Sequence, residues 1–179
     1  MLSPIHRDRL RRDERFRDKL PPAREVKEVM VLICGHGGRD ARCGLLGPVL
    51  EEEFISTLPR FGIEVLTGAV SATNPAATEG ETGKGEGMKA RVGLISHIGG
   101  HKFAGNVIIY LPPSLRLENG DAHHLAGMGI WYGRVEPKNV EGLIKATVKE
   151  GKVVEDMFRG GVQKGRGLLH LPLKGRGKT

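Results

Sequence analysis

The apolar residues of this chain occur in short runs, and the length of these runs restricts the secondary structure that it can form. Two examples are Met-Val-Leu-Ile at 30–33 and Val-Ile-Ile-Tyr-Leu at 107–111. Short apolar runs between polar or glycine-rich stretches are typical of buried β-strands and are far too short to cross a bilayer. Because hydrophobic residues make up 39% of the 179 residues and aromatic residues only 4%, we expect one domain with an aliphatic core and no membrane span.

The order of the elements predicts an α/β fold of the thioredoxin-like type. A strand at 29–33, a helix at 47–59 and a strand at 63–66 form a βαβ unit, and two further strands are predicted to pair antiparallel before a closing helix. We expect a mixed sheet of four to five strands with two main helices. The later strands are predicted at 91–96, 106–111 and 129–135.

Each predicted helix has an apolar face. The first has Pro48 in its first turn, where a proline is tolerated, and the second is opened by Glu136 and Pro137 and ends at Gly151. The predicted inward residues are Val49, Leu50, Phe54, Ile55 and Leu58 in the first helix and Val140, Leu143, Ile144 and Val148 in the second.

Charge separates a mildly acidic middle from two basic ends. Residues 1–24 hold eight basic and four acidic residues, and residues 159–179 hold six basic residues and no acidic one. Residues 25–158 hold fourteen basic and seventeen acidic residues. Basic ends favour RNA or acidic proteins as partners, and the alternative is a pair of solvated tails.

The same composition predicts the domain boundaries. We expect a basic N-terminal arm at 1–24, a folded domain at 25–161 and a basic C-terminal tail at 162–179. Within the domain, residues 71–90 are rich in Ser, Thr, Asn, Pro, Ala, Glu and Gly. This low-complexity run predicts a flexible surface insertion.

Two cysteines and two histidines form the most specific pattern in the chain. Cys34 and Cys43 are the only cysteines and flank a loop with three glycines, whereas His97 and His101 flank an Ile-Gly-Gly turn. Cys34 and His97 each follow a predicted strand, and Cys43 comes just before a predicted helix, whose N-terminus stabilises thiolates. If the two strands are neighbours, both loops emerge at the same edge of the sheet. Two thiolates and two imidazoles suit a [2Fe–2S] cluster and also a tetrahedral zinc ion.

The residues alone leave several alternatives open. The gap between the cysteines and the separation of Cys43 from His97 are both longer than a zinc finger uses, which disfavours zinc. The cysteines could instead form a disulfide or remain buried thiols, and the histidines could be an ordinary surface or core pair. His36 lies between the cysteines, and we expect it to have a supporting role rather than to be a ligand.

Other chemically distinctive residues predict structural roles. His123 and His124 lie in a long loop and are expected to face solvent. Trp131 and Tyr132 are expected in the core or on a sheet face rather than as electron relays. Arg134 either approaches the cysteine loop or caps the sheet, and the sequence does not decide between these positions.

Three stretches, at 34–44, 97–106 and 129–135, together resemble the sucrase/ferredoxin-like family, and in particular its fungal mitochondrial members. The first reads Cys-Gly-His-Gly-Gly-Arg-Asp-Ala-Arg-Cys-Gly and the second begins His-Ile-Gly-Gly-His. The resemblance covers roughly 25–161 and implies a thioredoxin-like ferredoxin domain. It also implies a [2Fe–2S] cluster as cofactor, with Cys34 and Cys43 on one iron and His97 and His101 on the other.

These observations predict an electron carrier rather than an enzyme, since no substrate-binding motif accompanies the four residues. Neutral imidazole leaves less negative charge on a cluster than thiolate, so reduction is easier, at about −150 to +300 mV against about −400 mV for plant-type ferredoxins. A separate redox protein is the implied partner. The resemblance implies the mitochondrial matrix, with the cytoplasm as the alternative location.

Two other functions stay open. One is a structural iron–sulfur or zinc module in a larger mitochondrial assembly, whose RNA or acidic proteins would contact the basic termini. The other is a metal-free thiol–disulfide protein that uses Cys34 and Cys43.

Overall fold

The computed structural model of the chain describes residues 26–67, 87–163 and 167–169. The predicted arm at 1–24, most of the predicted insertion at 71–90 and most of the predicted tail at 162–179 lie outside these residues, so those boundaries stay predictions. Within the described ranges, none of the helices combines the length and apolar character that a membrane span requires.

The fold is built on one mixed sheet of seven strands in the order β2-β3-β1-β4-β5-β6-β7. β1 pairs parallel with β3, which also pairs parallel with β2, and the pairs from β1–β4 to β6–β7 are antiparallel. The strands are β1 (Val29–Cys34), β2 (Glu64–Val65), β3 (Lys89–Ile95), β4 (Val107–Tyr110), β5 (Met128–Tyr132), β6 (Phe158–Gln163) and β7 (Gly167–Leu169).

This arrangement confirms the predicted α/β thioredoxin-like fold. A parallel unit precedes the antiparallel pair β4–β5, and a helical segment closes the domain. The sheet has seven strands, however, instead of the four to five predicted. The prediction missed β6 and β7, and within β6 Gly160 and Gly161 interrupt the apolar alternation that identifies a strand. β6 is instead held by its pairing with β5, a tertiary interaction.

The first helix, α1 (Ala41–Thr57), packs on the sheet through one face. Its buried residues recur every three or four positions, as one face of a helix requires. Leu50 and Phe54 are completely buried, and burying a side chain of this kind stabilises the fold by about 1.5–3 kcal/mol. The buried residues of α1 are Cys43, Gly47, Leu50, Phe54 and Thr57.

The predicted start of this helix at 47 was wrong. The helix begins at Ala41, because the Asp40 side chain caps it by accepting a hydrogen bond from the backbone N–H of Arg42. Pro48 therefore lies inside the helix, where it leaves the carbonyl of Gly44 without its usual partner.

Two of the predicted inward residues of α1 were also wrong. Val49 is 48% exposed and Ile55 is 40% exposed, because the face centred on Leu50 and Phe54 turns their side chains away from the sheet. The prediction for Leu58, which is fully buried, is confirmed.

The closing helical segment matches its prediction. A 3₁₀ turn at Pro137–Asn139 leads into α2 (Val140–Leu143), which continues as a π-helical stretch at Ile144–Lys149. Its predicted inward residues are all buried, and the Tyr132 and Thr147 hydroxyl groups, 2.6 Å apart, join it to β5. These inward residues are Val140, Leu143, Ile144 and Val148.

Candidate metal centre at the edge of the sheet

The cysteine loop and the histidine loop leave the sheet at the same edge. β1 and β3 run parallel with Cys34 opposite Ile95, and the N–H of Gly35 donates to the carbonyl of Ile95 at 3.1 Å. His97 follows Ile95 by two residues. The parallel pairing therefore brings together two loops that are far apart in the sequence, as the sequence predicted on condition that these strands are neighbours.

Both cysteines are buried free thiols. Each has a residue exposure of 1%. Cys34 ends β1, where its N–H donates to the carbonyl of Asn106 at 3.0 Å. Cys43 lies in the first turn of α1 instead of just before the helix, and its N–H donates to the carbonyl of Asp40 at 3.1 Å.

Close backbone contacts hold the cysteine loop against α1. A Cβ atom on Gly44 would lie 2.5 Å from the Cα of Gly37, and one on Gly47 would lie 2.9 Å from the carbonyl oxygen of Cys34. Glycine is therefore required at both positions if the loop is to keep this path.

Burial changes the pKa of one of the two cysteines, Cys43. Burial, then a hydrogen bond and the charge of Cys34, raises the pKa of Cys43 to about 11. A thiol with such a pKa is protonated at neutral pH, so Cys43 would be a poor nucleophile in a thiol–disulfide reaction. A bound metal cation would displace this proton.

The two histidine rings lie together on the loop that follows β3. Their centroids are 4.6 Å apart, and the Nδ1 atoms of His97 and His101 are both buried without a hydrogen-bond partner. Buried polar atoms are normally satisfied, so two adjacent exceptions point to a missing ligand. Burial, followed by the charges of His101, Arg39 and His36, lowers the pKa of His97 and keeps this ring neutral, as metal ligation requires.

Asp40 connects the two loops. One of its carboxylate oxygens, Oδ2, lies 3.5 Å from Nδ1 of His101, which is within ion-pair range but makes no hydrogen bond. Arg42 donates to the same carboxylate from Nε at 3.0 Å and from its terminal nitrogen at 2.8 Å. These hydrogen bonds are the largest cause of the lowered pKa of Asp40, about 2. Sequence reasoning missed Asp40, although an aspartate before a helix is a recognisable capping signal.

The four side chains match the ligands of a two-iron cluster in type and number. Within the described residues, no three side chains of His, Cys, Asp or Glu are grouped closely enough to hold a metal ion as they stand. A [2Fe–2S] cluster needs two protein ligands for each iron, and here two thiols lie on one loop and two imidazoles on the adjacent one. The pairwise arrangement therefore suits this group.

The remaining histidines behave differently. His123 is only 3% exposed, so its predicted solvent-facing position was wrong. Its Nδ1 accepts from the N–H of Leu125 at 3.2 Å, and its Nε2 lies 3.1 Å from the carbonyl oxygen of Val148. His124 is exposed, as predicted, and His36 is exposed within the cysteine loop.

Residues 131–134 lie beside the histidine loop. Trp131 is 37% exposed on a sheet face, whereas Tyr132 is 1% exposed in the core. Arg134 has a φ of 60°, a conformation that costs a non-glycine residue energy, and its N–H donates to the carbonyl of Phe103 at 3.2 Å. Its guanidinium lies 5.1 Å from the centroid of the Phe103 ring, so Arg134 lies next to the histidine loop.

Comparison with known proteins identifies the family of the chain. Residues 5–160 match the sucrase/ferredoxin-like family. The chain belongs to this family. It is 35% identical over 138 residues to altered inheritance of mitochondria protein 32 of Meyerozyma guilliermondii, covering 76% of this chain and 36% of the relative. The protein of the same name from Candida glabrata is 34% identical over 140 residues, covering 78% of this chain and 34% of the relative.

The chain thus spans about a third of the length of these relatives. Among solved structures, a thioredoxin-like [2Fe–2S] ferredoxin from Aquifex aeolicus matches with a TM-score of 0.42 and 13% identity. That match covers 74% of this chain and 91% of the ferredoxin.

Proposed function

We propose that this protein holds a [2Fe–2S] cluster and transfers one electron through it. Cys34 and Cys43 would bind one iron, and His97 and His101 would bind the other through their buried Nδ1 atoms. The observation that carries the proposal is that two buried thiols and two unpartnered imidazole nitrogens lie on adjacent loops at one edge of the sheet. Membership of a ferredoxin-like family supports the same chemistry.

The protein's own residues would prepare this centre before the metal binds. Burial excludes water from the sulfur atoms, and the first turn of α1 directs its partial positive charge towards Cys43. Asp40 remains a carboxylate whose Oδ2 faces the same Nδ1 atom of His101 that would bind iron, so cluster binding would replace this contact. The cluster itself would supply a reversible one-electron change at a potential raised by the neutral imidazole ligands.

The cellular setting is part of the proposal. The similar relatives are named for the inheritance of mitochondria, and we propose the mitochondrial matrix as the location, with a separate redox protein as electron partner. The structural-module alternative depends on basic ends that lie largely outside the described residues, and it stays a prediction.

The decisive experiment is metal analysis of protein purified without oxygen. We expect about two irons and about two sulfides per chain, with visible absorption that is bleached by reduction. Cys34→Ser and Cys43→Ser should each lose most of the iron, because the chain has no other cysteine. His36→Ala is the matched control in the same loop and should keep it. Colourless protein with stoichiometric zinc, expressed with ample iron, would contradict the proposal.

A further inference from the structure

Three cations surround one aromatic ring directly after the histidine loop. The guanidinium carbon of Arg159 lies 3.4 Å from the centroid of the Phe103 ring, that of Arg134 lies 5.1 Å away, and Nζ of Lys102 lies 5.0 Å away. All three side chains are exposed. Attraction to the ring face holds these like charges close together despite their mutual repulsion.

None of these three cations has a carboxylate partner within 4.0 Å in the part of the chain that the structure describes. The domain does neutralise other arginines, since Arg42 is paired with Asp40 and Arg60 with Glu141. The cluster of Lys102, Arg134 and Arg159 therefore presents an uncompensated positive charge to solvent.

A small pocket lies directly beside this cationic cluster. It has a volume of about 180 Å³ and is lined by residues that include Ile98, Gly99 and Gly100 of the histidine loop, together with Asn106, Trp131 and Arg159. Asn106 is 6% exposed, and its Nδ2 atom is buried without a hydrogen-bond partner. The pocket thus places a guanidinium without a carboxylate partner next to the histidine loop.

We propose that this pocket and the cationic cluster bind a carboxylate side chain presented by an acidic partner protein. The planar fork of Arg159 matches a carboxylate. The pocket has room for one acidic side chain. Trp131 is the one aromatic residue among the large exposed apolar residues of the described chain, so successive RNA bases would find no stacking platform.

The position of this pocket suggests what the partner does. Three of its lining residues belong to the turn between His97 and His101, so an acidic protein seated there would lie against the histidine ligands. The carboxylate contact itself does not depend on a cluster. Its use in electron transfer rests on the proposed function.

The fluorescence of a tryptophan can report binding at this site. Trp131 is the only tryptophan in the sequence, and it lines the pocket. Titration of the full chain with hexaglutamate should change its fluorescence in a saturable way. Inorganic phosphate and hexauridylate, compared at equal concentrations of negative charge, should give weaker signals. A phosphate response equal to that of the peptide would overturn the proposal in favour of a site for any small anion, and tighter hexauridylate binding would overturn it in favour of RNA.

A matched pair of double variants separates this site from general basicity. Arg134→Gln with Arg159→Gln should weaken hexaglutamate binding by at least about tenfold, because charged hydrogen bonds are lost. Arg11→Gln with Arg12→Gln removes the same charge from the predicted arm. This variant should change the affinity for hexaglutamate by less than about twofold. Equal losses in the two variants would overturn the proposal.

Two further measurements make the test decisive. If the double variant at the pocket unfolds, Lys102→Gln alone should still weaken binding, and unchanged binding would overturn the proposal. Iron content is measured on every sample. Site-specific binding by protein that contains no iron would support the carboxylate site and contradict only the proposed electron transfer, so the two failures are distinguishable.

Discussion

The chain has two loops that carry pairs of histidines, and the hydrogen-bond environments of their rings differ. In the loop of His123 and His124, one ring is buried with both nitrogens in contact with backbone groups, and the other ring is exposed. In the loop of His97 and His101, both rings have a buried nitrogen without a hydrogen-bond partner.

The two loops differ in the backbone hydrogen-bond partners that lie near each ring. His123 accepts from the N–H of Leu125, which leaves its Nε2 to donate to Val148 and makes it a neutral structural residue. His97 and His101 have no such backbone partners at Nδ1, and two buried thiols lie on the adjacent loop. Hydrogen-bond satisfaction, and not residue type or burial alone, separates a histidine of the core from a candidate ligand.

Alanine substitution tests this separation with the largest expected effect. His97→Ala or His101→Ala should lose most of the iron, because each removes one of two ligands from the same iron. His123→Ala should keep its iron and its visible spectrum. Iron analysis and absorption spectroscopy on the three variants measure the contrast, and equal iron loss in all of them would show that both loops act only through stability.

Exchange of the ligand type sharpens the same comparison. His97→Cys or His101→Cys replaces a neutral imidazole with a thiolate, so the cluster should survive with a reduction potential lower by on the order of 100 mV. His123→Cys, His124→Cys and His36→Cys should leave the potential close to that of the wild type. Voltammetry of each variant at one pH gives the values, and a shift in the control group alone would show that the ligands are misassigned.

For the free energy of unfolding, the loop of His123 and His124 should be the sensitive one. His123→Ala breaks two buried hydrogen-bond contacts and leaves backbone groups unsatisfied, so the free energy of unfolding should fall by about 2–4 kcal/mol. The exposed His124 is the control, and His124→Ala should change the free energy of unfolding by less than about 0.5 kcal/mol. Urea unfolding measures both, and similar values for the two variants would remove the structural role assigned to His123.

The dependence of stability on pH should give the smallest effect. Burial lowers the pKa of His123, so below about pH 6.5 the unfolded chain takes up a proton that the folded chain does not. This contribution to stability is complete above about pH 6.5 and is lost as the pH falls towards the folded-state pKa. His97 acts in the same direction, so His123→Gln should reduce the slope without abolishing it.

Urea midpoints measured at about pH 7.5 and at about pH 5.5 give this slope. A slope that His123→Gln leaves unchanged would mean that the ring does not titrate differently in the folded and unfolded states. His124→Gln should reproduce the wild-type slope.

Local patterns were sufficient to predict part of this structure. The aliphatic run of β1, the antiparallel pair β4–β5 and the apolar face of the closing helical segment follow from short-range periodicity, and the structure agrees. The parallel pairing of β1 with β3 was only a condition of the ligand prediction. The structure meets this condition, and the pairing places Cys34 and His97 at one edge of the sheet.

The failures have two physical causes, a local helix cap that outweighs the proline signal and a tertiary strand pairing. Pro48 indicated a helix start, but the cap by Asp40 and the close contact of Gly44 with Gly37 move that start to Ala41. Gly160 and Gly161 hide the apolar pattern of β6, which β5 stabilises by pairing.

The sequence by itself determined the family, the fold class and the four candidate ligands, because these depend on residue types, spacing and the order of elements. Only the tertiary structure decided which histidines are satisfied, since the partner of His123 is a carbonyl 25 residues away in the chain. It also decided the positions of Asp40 beside His101 and of Arg159 on Phe103. Each of these contacts joins residues that no local pattern relates, and burial then makes each partner or missing partner energetically important.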